Sequence, residues 1–138
     1  MAKSSIVELV DDQGNPNFVM KTNAGSVAPG QTLKTFVAKV ALSATVPTTV
    51  TLETVTAGKT FYLTDVYLSH DSAQVIDTRI QANGVDILRA PIKGDTAPLQ
   101  MTGIESQPSV ASGQLLTVLY PITATPPNAY LNVCGFEQ

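Results

Sequence analysis

From residue 35 onward, apolar and polar residues alternate with a period of two, and this pattern most constrains the fold. In residues 35–42 the apolar side chains Phe36, Ala38, Val40 and Leu42 share one parity, as in a strand with one buried face. No convincing 3.6-residue periodicity interrupts the pattern, and further strands are predicted at 46–55, 60–69, 74–82, 85–89, 99–104, 114–122 and 129–136. Short strands separated by turn clusters predict an all-β chain, a single antiparallel β-sandwich that is jelly-roll-like.

Two local features refine this prediction. Asn83-Gly84 lies between two β-rich runs and predicts a two-residue type I′ hairpin, because both turn positions need positive φ. In residues 60–69 the apolar residues change parity near Thr64-Asp65. A β-bulge at that point explains the change, as does a strand buried on both faces.

A short pattern ending in Gly-Gln or Gly-Lys recurs at residues 27–31 (VAPGQ), 55–59 (VTAGK) and 110–114 (VASGQ). We interpret it as a turn whose glycine takes positive φ before the next strand begins. A duplicated hairpin unit, as in two Greek keys, is the alternative.

Length and composition exclude several classes of protein. The 138 residues are 43% hydrophobic and fit one domain. No window approaches the roughly 20 apolar residues of a membrane span, and the N-terminus lacks the apolar core of a secretory signal. We therefore expect synthesis in a cytoplasm without a signal peptide and no membrane partner. The net charge is −3 and the eight Lys and Arg are scattered, which argues against nucleic-acid binding.

Residues 1–34 differ from the predicted sandwich domain, residues 35–138. They are rich in Gly, Pro and Asn, and their apolar side chains fall in two short β-like pieces: Ile6, Val7, Leu9 and Val10 in the first, and Phe18 in the second. The pieces form either a small hairpin at the sandwich edge or an extended arm that pairs with a neighbouring subunit. So much linker in a short chain favours the arm, and we predict that these five residues contact another subunit.

Residues that carry chemistry in other proteins are isolated in this sequence. His70 has no serine or cysteine motif around it, and we interpret it as a solvated loop residue. Cys134, the single cysteine, is interpreted as a small buried hydrophobe. Asp65, Asp71 and Asp77 fit no calcium-loop spacing and are interpreted as surface carboxylates. We therefore predict that the chain is not an enzyme and needs no metal or other cofactor.

The charged residues of the predicted hairpin and the tyrosines are candidates for stabilising or binding roles. Asp77 and Arg79 lie on one predicted strand, and Asp86 and Arg89 on its hairpin partner, so we expect cross-strand ion pairs with a structural role. Tyrosines can stack on sugar rings, and the chain has four of them, Tyr62, Tyr67, Tyr120 and Tyr130, but no Trp. Packing within the sheets is the favoured interpretation of these tyrosines.

Residues 55–69 (VTAGKTFYLTDVYLS) and 80–87 (IQANGVDI) resemble the small β-sandwich structural proteins of tailed bacteriophages, which include capsid decoration proteins and parts of tails. The likeness covers residues 46–138 and rests on the pattern of turns and strands. It implies a non-enzymatic virion protein that forms a homotrimer or higher ring and contacts other virion proteins. A capsid decoration or accessory protein is the function we expect. The alternative is a receptor-binding or glycan-recognising tail module with a host surface glycan as partner.

Overall fold

The computed structural model describes residues 9–10, 16–17, 28–94 and 97–138, and these residues contain strands and no helix. The strands are β1 (Leu9–Val10), β2 (Pro16–Asn17), β3 (Thr32–Ala41), β4 (Thr48–Thr54), β5 (Phe61–His70), β6 (Val75–Ala82), β7 (Val85–Lys93), β8 (Leu99–Met101), β9 (Ser109–Val110), β10 (Leu115–Tyr120) and β11 (Asn128–Glu137).

The larger strands form two antiparallel sheets that pack face to face, so the predicted β-sandwich is confirmed. One sheet has the order β4-β10-β6-β7, and the other has the order β3-β11-β5-β8, with the short β9 also paired to β5. The inward side chains of both sheets form one apolar core. Its fully buried members are Val55, Phe61, Leu63, Val66, Leu68, Ile76, Ile80, Ile92, Val110, Leu116, Val118, Tyr120, Ala129, Leu131 and Val133.

The pairing of the strands is nested along the chain. In the two sheets β3 pairs with β11, β4 with β10, β5 with β8, and β6 with β7. The innermost pair is the hairpin, and each outer pair joins strands that are farther apart in sequence. The chain is therefore folded like one long hairpin of four strand pairs. Successive pairs belong alternately to the two sheets.

Both local predictions on turns and bulges are confirmed. Asn83 and Gly84 have φ values of 52° and 84°, and Ala82 pairs with Val85 across the two-residue turn. On β5, Leu63 pairs with Gly135 and Asp65 pairs with Cys134 of β11, which leaves Thr64 as the extra residue of a bulge. The bulge explains why Leu63 and Val66 both point into the core although they are three residues apart.

The recurring glycine pattern forms turns in all three places. Gly30, Gly58 and Gly113 have φ values of 84°, 78° and 75°. In each turn the residue after the glycine donates its N–H to the carbonyl three positions earlier. Strands β3 and β10 begin within two residues of their turns, and β5 begins three residues after Gly58, so the favoured interpretation of this pattern is confirmed.

The sandwich ends on one side in two strands that face each other across the core, β3 and β4. Each pairs with a single neighbour, so one edge of each strand has no partner among the described residues. A gap of about 290 Å³ lies between them, lined by residues that include Phe36, Ala38, Val50 and Leu52. These four side chains are only half-buried, so the core is less well covered here than at its centre.

Candidate functional site

Of the five side chains predicted to contact another subunit, Ile6, Val7 and Phe18 lie outside the described residues. The backbone of Leu9 and Val10 forms β1, which pairs with β2 through the partners Leu9–Asn17 and Val10–Pro16. This small hairpin is separate from the two sheets of the sandwich in strand pairing. Contact of the segment with a neighbouring subunit stays a prediction.

Strand β3 offers the longest free edge of the sandwich. All ten of its residues pair in continuous register with β11, from Thr32–Glu137 to Ala41–Asn128. Its outward side chains include Val37, which is 74% exposed, and Leu33, which is 41% exposed. An unpaired, regular edge with exposed apolar side chains is a template for a further strand. We call this strand edge, with Leu33 and Val37, the β3 edge.

A second candidate surface lies on the outer face of the same sheet. Tyr67 of β5 is directly opposite Gln100 of β8 on one side and Asn132 of β11 on the other. The Tyr67 side chain is 41% exposed. A depression of about 150 Å³ surrounds this row, and Asp65, Met101 and Cys134 also line it. We call it the Tyr67 depression.

The β5 bulge determines how Asp65 enters the depression. Because the bulge adds Thr64 between two inward residues, Leu63 and Val66, both Thr64 and Asp65 lie on the outer side of the strand. The carboxylate is held from two directions: Oδ1 accepts a hydrogen bond from the N–H of Gly103 at 3.0 Å, and Oδ2 accepts one from Thr64 Oγ1 at 2.8 Å. Asp65 is therefore a fixed acceptor group.

The prediction that Cys134 is buried is wrong. Its side chain is only partly buried and lies on the outer face of β11, where the thiol lies 3.4 Å from Oδ1 of Asn132. The prediction correctly grouped Cys134 with Asn132 and Phe136 on one face of the strand. That face points outward, away from the core. Val133 and Leu131 take the buried positions instead.

The interpretation of His70 as a solvated loop residue is also wrong. His70 ends β5 and is only 3% exposed. Its Nδ1 accepts a hydrogen bond from the N–H of Ser72 at 3.2 Å, and its Nε2 lies 2.8 Å from the carbonyl oxygen of Ile92. The N–H of Gly94, just after β7, lies 3.2 Å from the same Nε2. His70 thus joins the end of β5 to β7, a contact that no local sequence pattern signals.

The expected cross-strand ion pairs on the hairpin are confirmed. Arg79 and Arg89 are direct partners on β6 and β7, and Asp77 bridges them, at 3.2 Å from Arg79 and 2.8 Å from Arg89. Asp86 lies 3.8 Å from Arg79. The hydrogen bond from Arg89 is the main cause that lowers the pKa of Asp77 below its ordinary value. Arg89 is exposed, and the Asp77 and Arg79 side chains keep about a third of their surface accessible, so solvent screens the pairs and their contribution to stability is small.

Sequence reasoning missed a charged cluster at the end of the sandwich where β3, β4 and β11 meet. The ammonium of Lys34 lies 3.1 Å from Glu53 and 3.6 Å from Glu137. Burial raises the pKa of Glu53. Burial also acts to raise the pKa of Glu137. The hydrogen bond from the N–H of Thr56 and the charge of Lys34 outweigh it, so the pKa of Glu137 is lowered. The cluster therefore ties three strands together with Glu137 ionised.

The four tyrosines have different roles. Tyr120 is buried in the core, which raises the pKa of its phenol, so it is unavailable for ligands. Tyr62 stacks on Phe136 with ring centroids 5.2 Å apart. Tyr130 donates a hydrogen bond to Asp71 at 2.8 Å, which raises its pKa. For Tyr67 no such aromatic or hydrogen-bond partner is found among the described residues.

Within residues 28–94 and 97–138 no three His, Cys, Asp or Glu side chains are grouped closely enough to hold a metal ion. The part of the chain that the structure describes has no helix long and apolar enough to cross a membrane. The sequence matches no protein-family model and no curated protein.

Proposed function

We propose that this chain is a non-enzymatic structural protein of a phage particle, a capsid decoration or accessory protein that stabilises the particle through contacts between subunits. The β3 edge is the observation that carries the proposal. It combines a ten-residue strand that has one unpaired edge with Val37 exposed on its outer face. A subunit that adds a strand there gains main-chain hydrogen bonds and covers the half-buried side chains of the gap behind it.

The other edges of the sandwich are less suited to such a contact. The free edge of β7 carries Pro91, which lacks an N–H, and the charged Arg89 and Lys93, features that discourage strand addition. β4 has a register shift opposite Leu116 and Thr117 of β10. The β3 edge has neither proline nor bulge along its pairing with β11, and a neighbouring subunit is therefore expected to bind there.

The nested strand pairs support a jelly-roll topology for this protein. A chain that coils as one long hairpin into two sheets is how jelly rolls are built, and viral capsid proteins often use that architecture. The phage assignment itself rests on the resemblance of residues 55–69 and 80–87. On that basis we propose that the protein lies in the virion after synthesis in the host cytoplasm, as a homotrimer or higher ring in contact with other virion proteins.

The arm and the β3 edge are two halves of one proposed contact. Ile6, Val7, Leu9 and Val10 contribute about 1.5 kcal/mol each when their side chains are buried against a surface. The segment that contains them precedes β3 in the chain. We propose that the segment of one subunit lies along the β3 edge of the next, a heterologous contact that closes into a ring.

Sedimentation velocity of two variants tests this proposal. Deletion of residues 1–22 is expected to leave a folded sandwich that no longer self-associates or docks on phage heads. Val37→Lys in the intact chain is expected to weaken self-association in the same way, since it adds a charge at the contact. Val85→Lys, at a similarly exposed valine on β7, is the matched control and should assemble normally.

Two results contradict the proposal. One is a truncated chain that fails to fold while the intact protein is a stable monomer, because the segment then belongs to its own core. The other is equal self-association of Val37→Lys and Val85→Lys. Binding of the intact protein to host cells or purified wall glycans, without binding to heads, supports the tail module instead.

A further inference from the structure

We propose that the Tyr67 depression binds a neutral saccharide, one ring of which stacks on Tyr67 while the flanking side chains bind its hydroxyl groups. This inference goes beyond the proposed function, because it concerns side chains on the outer face of the sheet, whereas the proposed function concerns the free backbone edge of β3. The two surfaces adjoin where Asn132 pairs with Val37. A decoration protein and a tail module can both carry such a site.

Tyr67 provides the stacking surface for the sugar ring. Tyr67 stands at the centre of the row Gln100–Tyr67–Asn132, on three adjacent strands. Its ring is 41% exposed, although a tyrosine on a sheet normally packs against its cross-strand neighbours. Here both neighbours are amides. The ring therefore offers an open apolar face, and the C–H groups of a pyranose are a suitable complement to it.

Polar groups on both sides of the Tyr67 ring can bind the hydroxyl groups of the sugar. Gln100 and Asn132 each carry two amide donors and one carbonyl acceptor, and adjacent hydroxyls of a sugar can use a donor and an acceptor together. Asp65 adds a carboxylate acceptor that is already fixed by Gly103 and Thr64. A few polar groups placed around an apolar surface are the usual composition of a small-ligand site.

Charge and size define the class of ligand. The residues that line the depression include Asp65 but no lysine or arginine, so an anionic ligand such as a phosphate would meet a carboxylate with no compensating cation. The volume of about 150 Å³ lies below the roughly 300 Å³ at which small-molecule pockets begin. Such a shallow site fits one ring of a longer glycan that continues across the sheet.

Cys134 supplies a direct reporter for occupancy. It lines the depression and is the only cysteine of the chain, so its rate of labelling by N-ethylmaleimide measures access to the site. The experiment uses the full-length protein with glucose, galactose, N-acetylglucosamine and their short oligomers. Sorbitol, a polyol without a ring, is the control ligand. Amide chemical shifts of Tyr67, Gln100 and Asn132 provide the second measurement.

At least one of the cyclic saccharides is expected to slow the labelling of Cys134 and to shift the three amide signals, while sorbitol does neither. Tyr67→Ala should weaken this binding about tenfold or more, as expected when a central aromatic contact is truncated. Tyr67→Phe, which keeps the ring, should restore most of it. Val85→Ala on the opposite sheet is the matched control and should bind like the unmodified protein.

Three outcomes overturn the saccharide assignment: no member of the panel protects Cys134, Tyr67→Ala is protected as well as the unmodified protein, or sorbitol protects equally. Protection that rises with protein concentration and not with saccharide assigns the face to a contact between copies and also overturns it. Leu33→Lys, at the β3 edge and opposite Phe136 rather than Asn132, separates this inference from the proposed function. That variant should lose self-association and retain saccharide binding.

Discussion

Gly135 of β11 lies so close to β5 that a side chain would not fit there. A Cβ at this position would collide with the carbonyl oxygen of Tyr62 and the ring of Phe61. Both groups belong to β5 next to its bulge and have no room to move, since Phe61 is fully buried. The requirement for glycine here comes from packing, in contrast to Gly84, where positive φ requires it.

Gly135→Ala should therefore lower the free energy of unfolding by about 1–3 kcal/mol, the usual cost of forcing extra volume into a packed site. Urea denaturation measures the loss. Cys134→Ala, one residue earlier and half-exposed, is the control and should stay within about 0.5 kcal/mol of the unmodified protein. Equal midpoints for the two variants would show that β11 does not approach β5 as described.

The Lys34–Glu53–Glu137 cluster gives a prediction with a definite pH dependence. Glu137 has a lowered pKa in the folded state, so its contribution is present above the unfolded-state value of about 4.3 and is lost as the pH falls. Glu53 has a raised pKa, so its contribution has the opposite sign: it is present at low pH and is lost as the pH rises through the folded-state pKa.

Glu137→Gln should accordingly cost about 1–3 kcal/mol at neutral pH, because an ionised acceptor of the Thr56 N–H is lost. The difference from the unmodified protein should narrow as the pH falls below about 4.3. Glu53→Gln should cost less at neutral pH, since it removes a carboxyl whose ionisation burial opposes. Denaturation midpoints measured across the pH range check both; a gap for Glu137→Gln that widens in acid contradicts the assignment.

Among the secondary-structure elements, the features that depend on a few neighbouring residues can be predicted from the sequence. The Asn83-Gly84 hairpin and the Thr64 bulge were both predictable, because turn chemistry and a change of parity leave marks within a few residues. The face of a strand was less certain. Cys134 lies on the outer face although parity grouped it with Phe136, and only the pairing of β11 between β3 and β5 determines which face is inward.

Gly84→Val is the direct test of the hairpin. With φ at 84°, a β-branched residue is strained there, and we expect a loss of about 1–3 kcal/mol in the free energy of unfolding. Val85→Thr, an exposed neighbour in the same hairpin, should change stability by no more than about 0.5 kcal/mol. A Gly84→Val variant with the denaturation midpoint of Val85→Thr would mean that the turn has another conformation.

At the scale of the whole molecule, most of the fold depends on contacts between distant residues. β3 pairs with β11 through partners such as Thr32 and Glu137, which lie near the two ends of the described sequence 28–138. His70 becomes buried only when β5 meets β7, and the Tyr67 depression forms only when β5, β8 and β11 are adjacent. No local sequence pattern specifies these long-range contacts. For this reason the sequence predicted the class of fold but neither the β3 edge nor the Tyr67 depression.

The proposed function requires that another subunit adds a strand to the β3 edge. Alternate amides of β3 point away from β11, so a free edge leaves them open to water and an added strand protects them. Native-state hydrogen exchange of the intact protein measures this directly. We expect these amides to become protected as the protein concentration rises and to lose that protection in Val37→Lys but not in Val85→Lys. Rapid exchange of the same amides at every concentration, in a protein that nevertheless assembles, would contradict this expectation.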